Sequence, residues 1–349
     1  MEGKKVKIIV DAMGGDHAPE EIVRGAFEAA DEYGCELVLC GDEGRIRDLA
    51  TRNGWPLDKH RIVHSDIAVS MEDDPMVVLH SKKESSMCVG LRLLAAGEGD
   101  AFVSAGNTGA LFTAASLIVR KVPGLQRAAI ASIIPMKPPV LLLDSGANVT
   151  VNDEYLEQFA VMGSVYMKSI YGIPCPRVGL LNNGTEECKG TQLQMDTYKR
   201  LSVNPDINFI GNVEANHIPL DACDVLVTDG FTGNILLKSI EGMGRLMLTT
   251  LRDCFTANLR TKIAAGLVKD KINGIKKDFD SSEYGGAPLL GLRRPVIKAH
   301  GSSKAKALKN AVRQAIGYSG NGIIDEITDE IKRISAQPRP TGTAPEEDK

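Results

Sequence analysis

Short apolar runs bounded by Gly, Asp or Pro recur along the chain: KIIV, ELVLC, DAFVS, AAIASIIP, VLLLD, RVGLLN, INFIG and DVLVTD. Between several of them lie stretches with apolar residues at helical spacing, such as PEEIVRGAFEAADEYG and DEYLEQFAVMGSVYMKSIYG. Each opens on Pro, Asp or Glu, which the amino end of a helix favours. This alternation predicts an α/β layered sandwich with a mostly parallel central sheet. In such sheets ligands bind beyond the carboxyl ends of strands, so motifs directly after apolar runs carry the most weight.

One region breaks the rhythm. From Leu248 to Phe279, apolar residues fall at Leu251, Phe255, Leu259, Ile263, Leu267, Val268, Ile272 and Ile275, which is helical spacing over several turns. From Leu251 to Phe279 there are seven basic and three acidic residues. A basic amphipathic hairpin suits either an anionic partner or a surface packed against the core or a second copy. The organisation expected is a single α/β domain over residues 1–335, a helical hairpin inserted at about 248–279, and a Pro-rich, polar, disordered tail over 336–349.

Composition narrows the function. The chain of 349 residues has a formal net charge of −4, so its average surface does not attract nucleic acid, and any anion must meet a local patch. The seven cysteines are scattered, with no C-x-x-C, which disfavours a disulfide framework and a zinc site. No signal-like apolar stretch opens the chain and no uncharged apolar run reaches about 18 residues, so a cytoplasmic protein is expected. P-loop, nucleophile-elbow, H-E-x-x-H and G-x-G-x-x-G patterns are absent.

Glycine-rich turns after the apolar runs remain. DAMGGDHAP follows KIIV and holds Gly14, Gly15, Asp16 and His17. SAGNTGALF follows DAFV and offers Ser104, Asn107 and Thr108 at a helix start, either as an anion cradle or as a plain N-cap. TDGFTGNILLK repeats that grammar after DVLV, with Thr232 and Asn234, and the two turns together suggest halves of one anion-binding cleft. NNGTEECKG carries Lys189, and VIKAHGSS carries Lys298 and His300. Asp11, Asp16, His17 and His300 could supply metal ligands, but they come from unrelated loops and no metal is assigned.

The order of VDAMGGDHAP, SAGNTGAL, LLDSGANV, RVGLLNNGTEECKG, VLVTDGFTGN, YGGAPLLGL and VIKAHGSS resembles the phosphate acyltransferase family, the PlsX type of bacterial phospholipid synthesis, over roughly residues 6 to 330. The resemblance implies transfer of a fatty acyl group from acyl carrier protein to inorganic phosphate, by direct attack on the thioester. It implies a homodimer, no cofactor, and a fold similar to the isocitrate dehydrogenase and phosphotransacetylase group. It also implies supply of acyl phosphate to a membrane-bound glycerol-3-phosphate acyltransferase, with peripheral contact to the inner face of the membrane.

On that reading Lys189 and Asn234 bind phosphate and the developing oxyanion, while Asp16 and His17 orient phosphate or handle its proton. Gly14, Gly15, Ser104, Asn107, Thr108, Thr232, Lys298 and His300 complete the pocket. Leu259, Arg260, Lys262 and Ile263 are expected to meet the carrier or an anionic lipid surface. Cys188 stands where the family frequently has a lysine. The competing readings are acyl-coenzyme A/phosphate exchange, as in phosphotransacetylases, and a non-enzymatic membrane scaffold for lipid synthesis.

Overall fold

A computed structural model describes residues 5–278 and 281–336. The first part of the chain gives β1 (Lys7–Asp11), α1 (Glu20–Tyr33), β2 (Glu36–Gly41), α2 (Glu43–Asn53) and β3 (Arg61–His64). An extended segment leads to α3 (Ser86–Ala95), β4 (Ala101–Ser104) and α4 (Thr108–Ile118). Then come β5 (Ala129–Ile134), β6 (Val140–Leu143), α5 (Asp153–Tyr171), β7 (Arg177–Asn182), α6 (Gln192–Ser202), β8 (Asn208–Glu214) and β9 (Val225–Val227). The chain continues through α7 (Gly230–Thr256), α8 (Leu259–Asp278), β10 (Gly286–Leu290), β11 (Val296–Ala299), α9 (Ala305–Gly320) and α10 (Ile323–Ala336).

Among the described residues, eleven strands join one sheet in the order β3-β2-β1-β4-β11-β10-β5-β6-β9-β7-β8. Its two flanks are parallel, as the alternating pattern predicts. The centre is not: β11–β10, β10–β5 and β5–β6 pair antiparallel. Three reversals separate β4 from β9, so the two strands run in opposite directions. Their glycine turns therefore leave the sheet in opposite directions, so the two are not equivalent turns at one end of the sheet, and the second approaches the first only through the flank of the helix it opens.

Side chains alternate across each strand, and the alternation builds the two faces. Ile8 and Val10 of β1, Ala101 and Val103 of β4, and Ile297 and Ala299 of β11 point into one core with α1, α5, α9 and α10. Ile9, Phe102 and Val296 point to the other face, against α3 and α4. On that second face Leu236, Leu237 and Ile240 of α7 pack beside Ile134, Leu142 and Leu226.

The helical arm begins earlier than the sequence pattern suggests. The helix α7 runs unbroken from Gly230, so the arm is its carboxyl-terminal half together with α8, and the chain turns at Ala257 and Asn258. Met243, Leu246, Leu259, Ile263 and Leu267 are exposed along it. Among the described residues no helix is long and apolar enough to cross a membrane. The expected disordered tail lies outside the described residues, apart from Ala336, which closes α10.

Candidate active site

The strand β1 is parallel to β4, and β4 to β11, with Val10 opposite Val103 and Lys298 opposite Ser104. The alternation that sends Val10, Val103 and Ile297 into the first core turns Asp11, Ser104 and Lys298 onto the α3/α4 face, side by side at the carboxyl ends of three strands.

Asp11 is buried and accepts hydrogen bonds from Ser86 Oγ at 2.6 Å and Ser104 Oγ at 2.7 Å. Burial raises its carboxyl above the ordinary range, while the two serines, the Met13 backbone and the charge of Lys298 pull it back. Ser104 Oγ in turn accepts from Gly106 N at 3.0 Å, so the side chain expected to touch substrate holds the turn instead.

The DAMGG turn lies directly against the SAGN and HGSS turns. A Cβ at Gly14 would collide with Asp11 Oδ2 and stand 2.8 Å from Gly106 N. Gly15 has φ +106°, a conformation that side chains disfavour, and packs on Ala105 and the Gly301 carbonyl. Asp16 N donates to Gly301 O at 2.9 Å. The Asp16 and His17 side chains are exposed at the rim.

Lys298 is only 7% exposed. Its ammonium donates to Ala299 O, and to Ala105 O at 3.4 Å. Desolvation lowers its pKa to about 8, with Asp11 and Asp16 opposing and Lys238 reinforcing the shift. His300 Nδ1 lies 2.9 Å from Ser302 Oγ, and burial together with the charges of Lys238 and Lys298 lowers its pKa.

Lys238 reaches this edge because α7 starts at the opposite one and runs back across the sheet face. Asn234, Lys238 and Glu241 follow at i, i+4 and i+7 and share one side of that helix. Asn234 lies over the turn after β6, where a Cβ at Gly146 would be 3.7 Å from it. That turn is organised by buried Asp144, which accepts from Gly146, Ala147 and Asn148 backbone N–H groups. The cleft is thus walled by a cluster of turns on one side and a helix flank on the other.

Two predicted ligands are occupied with structural work. Asn107 caps α4 by accepting from Ala110 N at 3.0 Å, and its Nδ2 donates to the Ser70, Met71 and Asp73 carbonyls. Thr232 Oγ1 donates to Asp229 Oδ2 at 2.7 Å within the α7 cap. Thr108 is exposed in the first turn of α4. Lys189 is exposed on the β7–α6 loop, packed on Gly184, and no described contact links it to the Lys298 cluster.

Sequence reasoning passed over three contributors: Ser86, Asp144 and Lys238. Lys238 was legible in principle, since it follows Asn234 by four residues in TDGFTGNILLK. Asp144 was legible too, since it ends the run VLLLD and its backbone partners lie within the next four residues; Ser86 carries no local signal, and only the folded chain brings it to Asp11. Among the described residues no group of three or more His, Cys, Asp and Glu side chains is placed to hold a metal ion.

A family profile described as "Fatty acid synthesis protein" matches residues 6–326. The chain is 45% identical over 326 residues to a phosphate acyltransferase of Moorella thermoacetica, covering 93% of this chain and 95% of that one. It is 43% identical over 329 residues to one of Caldanaerobacter subterraneus, covering 94% and 98%. Among solved structures it is similar in fold to the EutD phosphotransacetylase from Staphylococcus aureus, with TM-score 0.55 and 16% identity, covering 91% of this chain and 95% of that one. A branched-chain phosphotransacylase from Enterococcus faecalis gives TM-score 0.51 at 13% identity, covering 89% and 98%.

Proposed function

The chain belongs to the phosphate acyltransferase family, and from that premise we propose that it moves a fatty acyl group from acyl carrier protein to inorganic phosphate. The observation that carries this reading is the 45% identity to a phosphate acyltransferase over nearly the whole chain. Acyl transfer to phosphate is the activity of the family; the carrier as donor, and phospholipid synthesis as destination, are the finer proposals.

Phosphate is proposed to sit where the DAMGG, SAGN and HGSS turns meet, facing Lys298, Lys238 and His300, with Asp16 and His17 at the rim. Positive charge and backbone N–H groups there hold the nucleophile near the thioester carbonyl. A phosphate oxygen attacks the carbonyl carbon, the new C–O bond forms, and the C–S bond breaks. Asn234 on α7 and Lys189 on its loop are the proposed donors to the oxyanion that develops between these events. The departing thiolate belongs to an acid of pKa about 8.5 and needs little assistance. No covalent enzyme intermediate is required, so the cysteines stay outside the chemistry; Cys40, Cys88 and Cys223 are buried, with thiols pushed up by desolvation.

The arm fits the same reading. Leu259 and Ile263 are 75% and 62% exposed, with Arg260 and Lys262 between them. Apolar and basic residues together suit an acidic partner that carries a lipid chain, or the membrane at which the product is consumed. A homodimer is proposed as the working assembly.

Donor preference tests the finer claim. The value of kcat/KM with acyl carrier thioester is expected to exceed that with the matched acyl-coenzyme A; the reverse order would favour phosphotransacetylase-like exchange.

A further inference from the structure

Asp11 belongs to none of the steps above, yet it is the buried carboxylate beside Lys298. Its two carboxylate oxygens are each taken by a serine hydroxyl, Ser86 at the start of α3 and Ser104 at the end of β4. All its hydrogen-bond partners are donors, which suits the ionised carboxylate. Gly14 is packed on Oδ2 so closely that no side chain fits between them.

We propose that Asp11 is a positioning residue of the phosphate site: it fixes the two serine-bearing turns and supplies the buried countercharge that keeps the Lys298 ammonium charged for phosphate. The proposal rests on the reading that this edge of the sheet holds phosphate. Lys298 makes no direct ion pair among the described residues; carbonyl oxygens alone hold its ammonium. A buried ammonium held only by carbonyls loses its proton readily unless a negative charge stands nearby. Three other elements bring four charged groups to bear on it or on its neighbour His300: Asp11 from β1, Asp16 from the following turn, and Lys238 and Glu241 from α7. Asp16 is exposed at the rim, so Asp11 is the buried carboxylate of the set.

The sign follows. Removing the Asp11 charge lowers the pKa of Lys298 below its value of about 8, so the ammonium is lost at a lower pH. In Asp11→Asn the alkaline limb of the kcat/KM profile for phosphate is expected to move to lower pH by about one unit or more. The deficit against wild type should be about 5-fold or more at pH 8, and should shrink toward pH 6.5. Ser86→Ala, which removes a hydrogen bond but no charge, should leave the limb in place.

The titration of Lys298 is also read without substrate, by NMR of 13C-labelled lysine in wild type and Asp11→Asn. An unchanged Lys298 titration, or an activity deficit equal at all pH values, overturns the proposal. If Asp11→Asn does not fold, Lys298→Met carries the test: the limb near pH 8 should disappear, and a wild-type profile would overturn the idea. Absence of any acyl phosphate from wild-type enzyme would sink the functional reading alone, because the lysine titration stands apart from turnover.

Discussion

Gly14 presses against the Asp11 carboxylate, leaving no room for a methyl group between that oxygen and the Gly106 backbone, where a Cβ would stand 2.8 Å from the nitrogen. Both neighbours belong to a buried hydrogen-bonded floor and neither can give way cheaply. Gly14→Ala is therefore expected to cost about 1–3 kcal/mol of stability, as overpacking does. It should also displace the DAMGG turn and lower activity about 100-fold, as loss of oriented contacts does. Thermal melts beside turnover assays check both; a variant with wild-type melting and turnover would contradict the packing.

Asn107 joins α4 to the segment before α3 through one acceptor and three donor contacts. Loss of the cap alone costs about 1 kcal/mol. Asn107→Ala should therefore melt earlier, and amide exchange should quicken over residues 70–79, where Pro75 packs on Gly109. If stability and exchange were unchanged while phosphate binding fell, Asn107 would be a ligand after all.

Lys238 and Lys189 are expected to separate in kinetics. Lys238 shares the Lys298 and His300 edge, so Lys238→Ala should raise the KM for phosphate about 10-fold with a smaller change in kcat. Lys189, as a donor to the oxyanion, should show its loss in kcat, about 100-fold on removal. Interchanged effects would swap the two roles.

The exposed arm leads to a binding prediction. Replacing Leu259 and Ile263 by Glu adds negative charge to a surface where both apolar residues stand open to solvent. Sedimentation with vesicles containing anionic lipid should decrease for the double variant, with kcat on soluble substrates kept within about 3-fold. Undiminished sedimentation would remove the lipid-contact role from these residues.

Much of the fold was legible because its signals are local. The eight apolar runs became β1, β2, β4, β5, β6, β7, β8 and β9, and the two quoted helical stretches became α1 and α5. The centre of the sheet was not legible. Strand β10 contains Gly286 and Pro288, which argue against a central strand, and it sits there through pairing with β11 and with distant β5. The two antiparallel pairings of β10 cancel, and the antiparallel β5–β6 pair beside it reverses the strand direction, which decided the way each glycine turn leaves the sheet. For the same reason the site was half legible: the glycine turns announced themselves, whereas the Asp11–Ser86 bond and the approach of Lys238 to Lys298 depend on partners far apart in sequence.

The most direct test of the account is to incubate the protein with acyl carrier thioester and inorganic phosphate and to analyse the products by mass. Acyl phosphate and free carrier thiol should form in equal amounts, with the rate saturating in phosphate. Carrier thioester that stays intact, or that yields free fatty acid without acyl phosphate even when hydrolysis is controlled for, would contradict it.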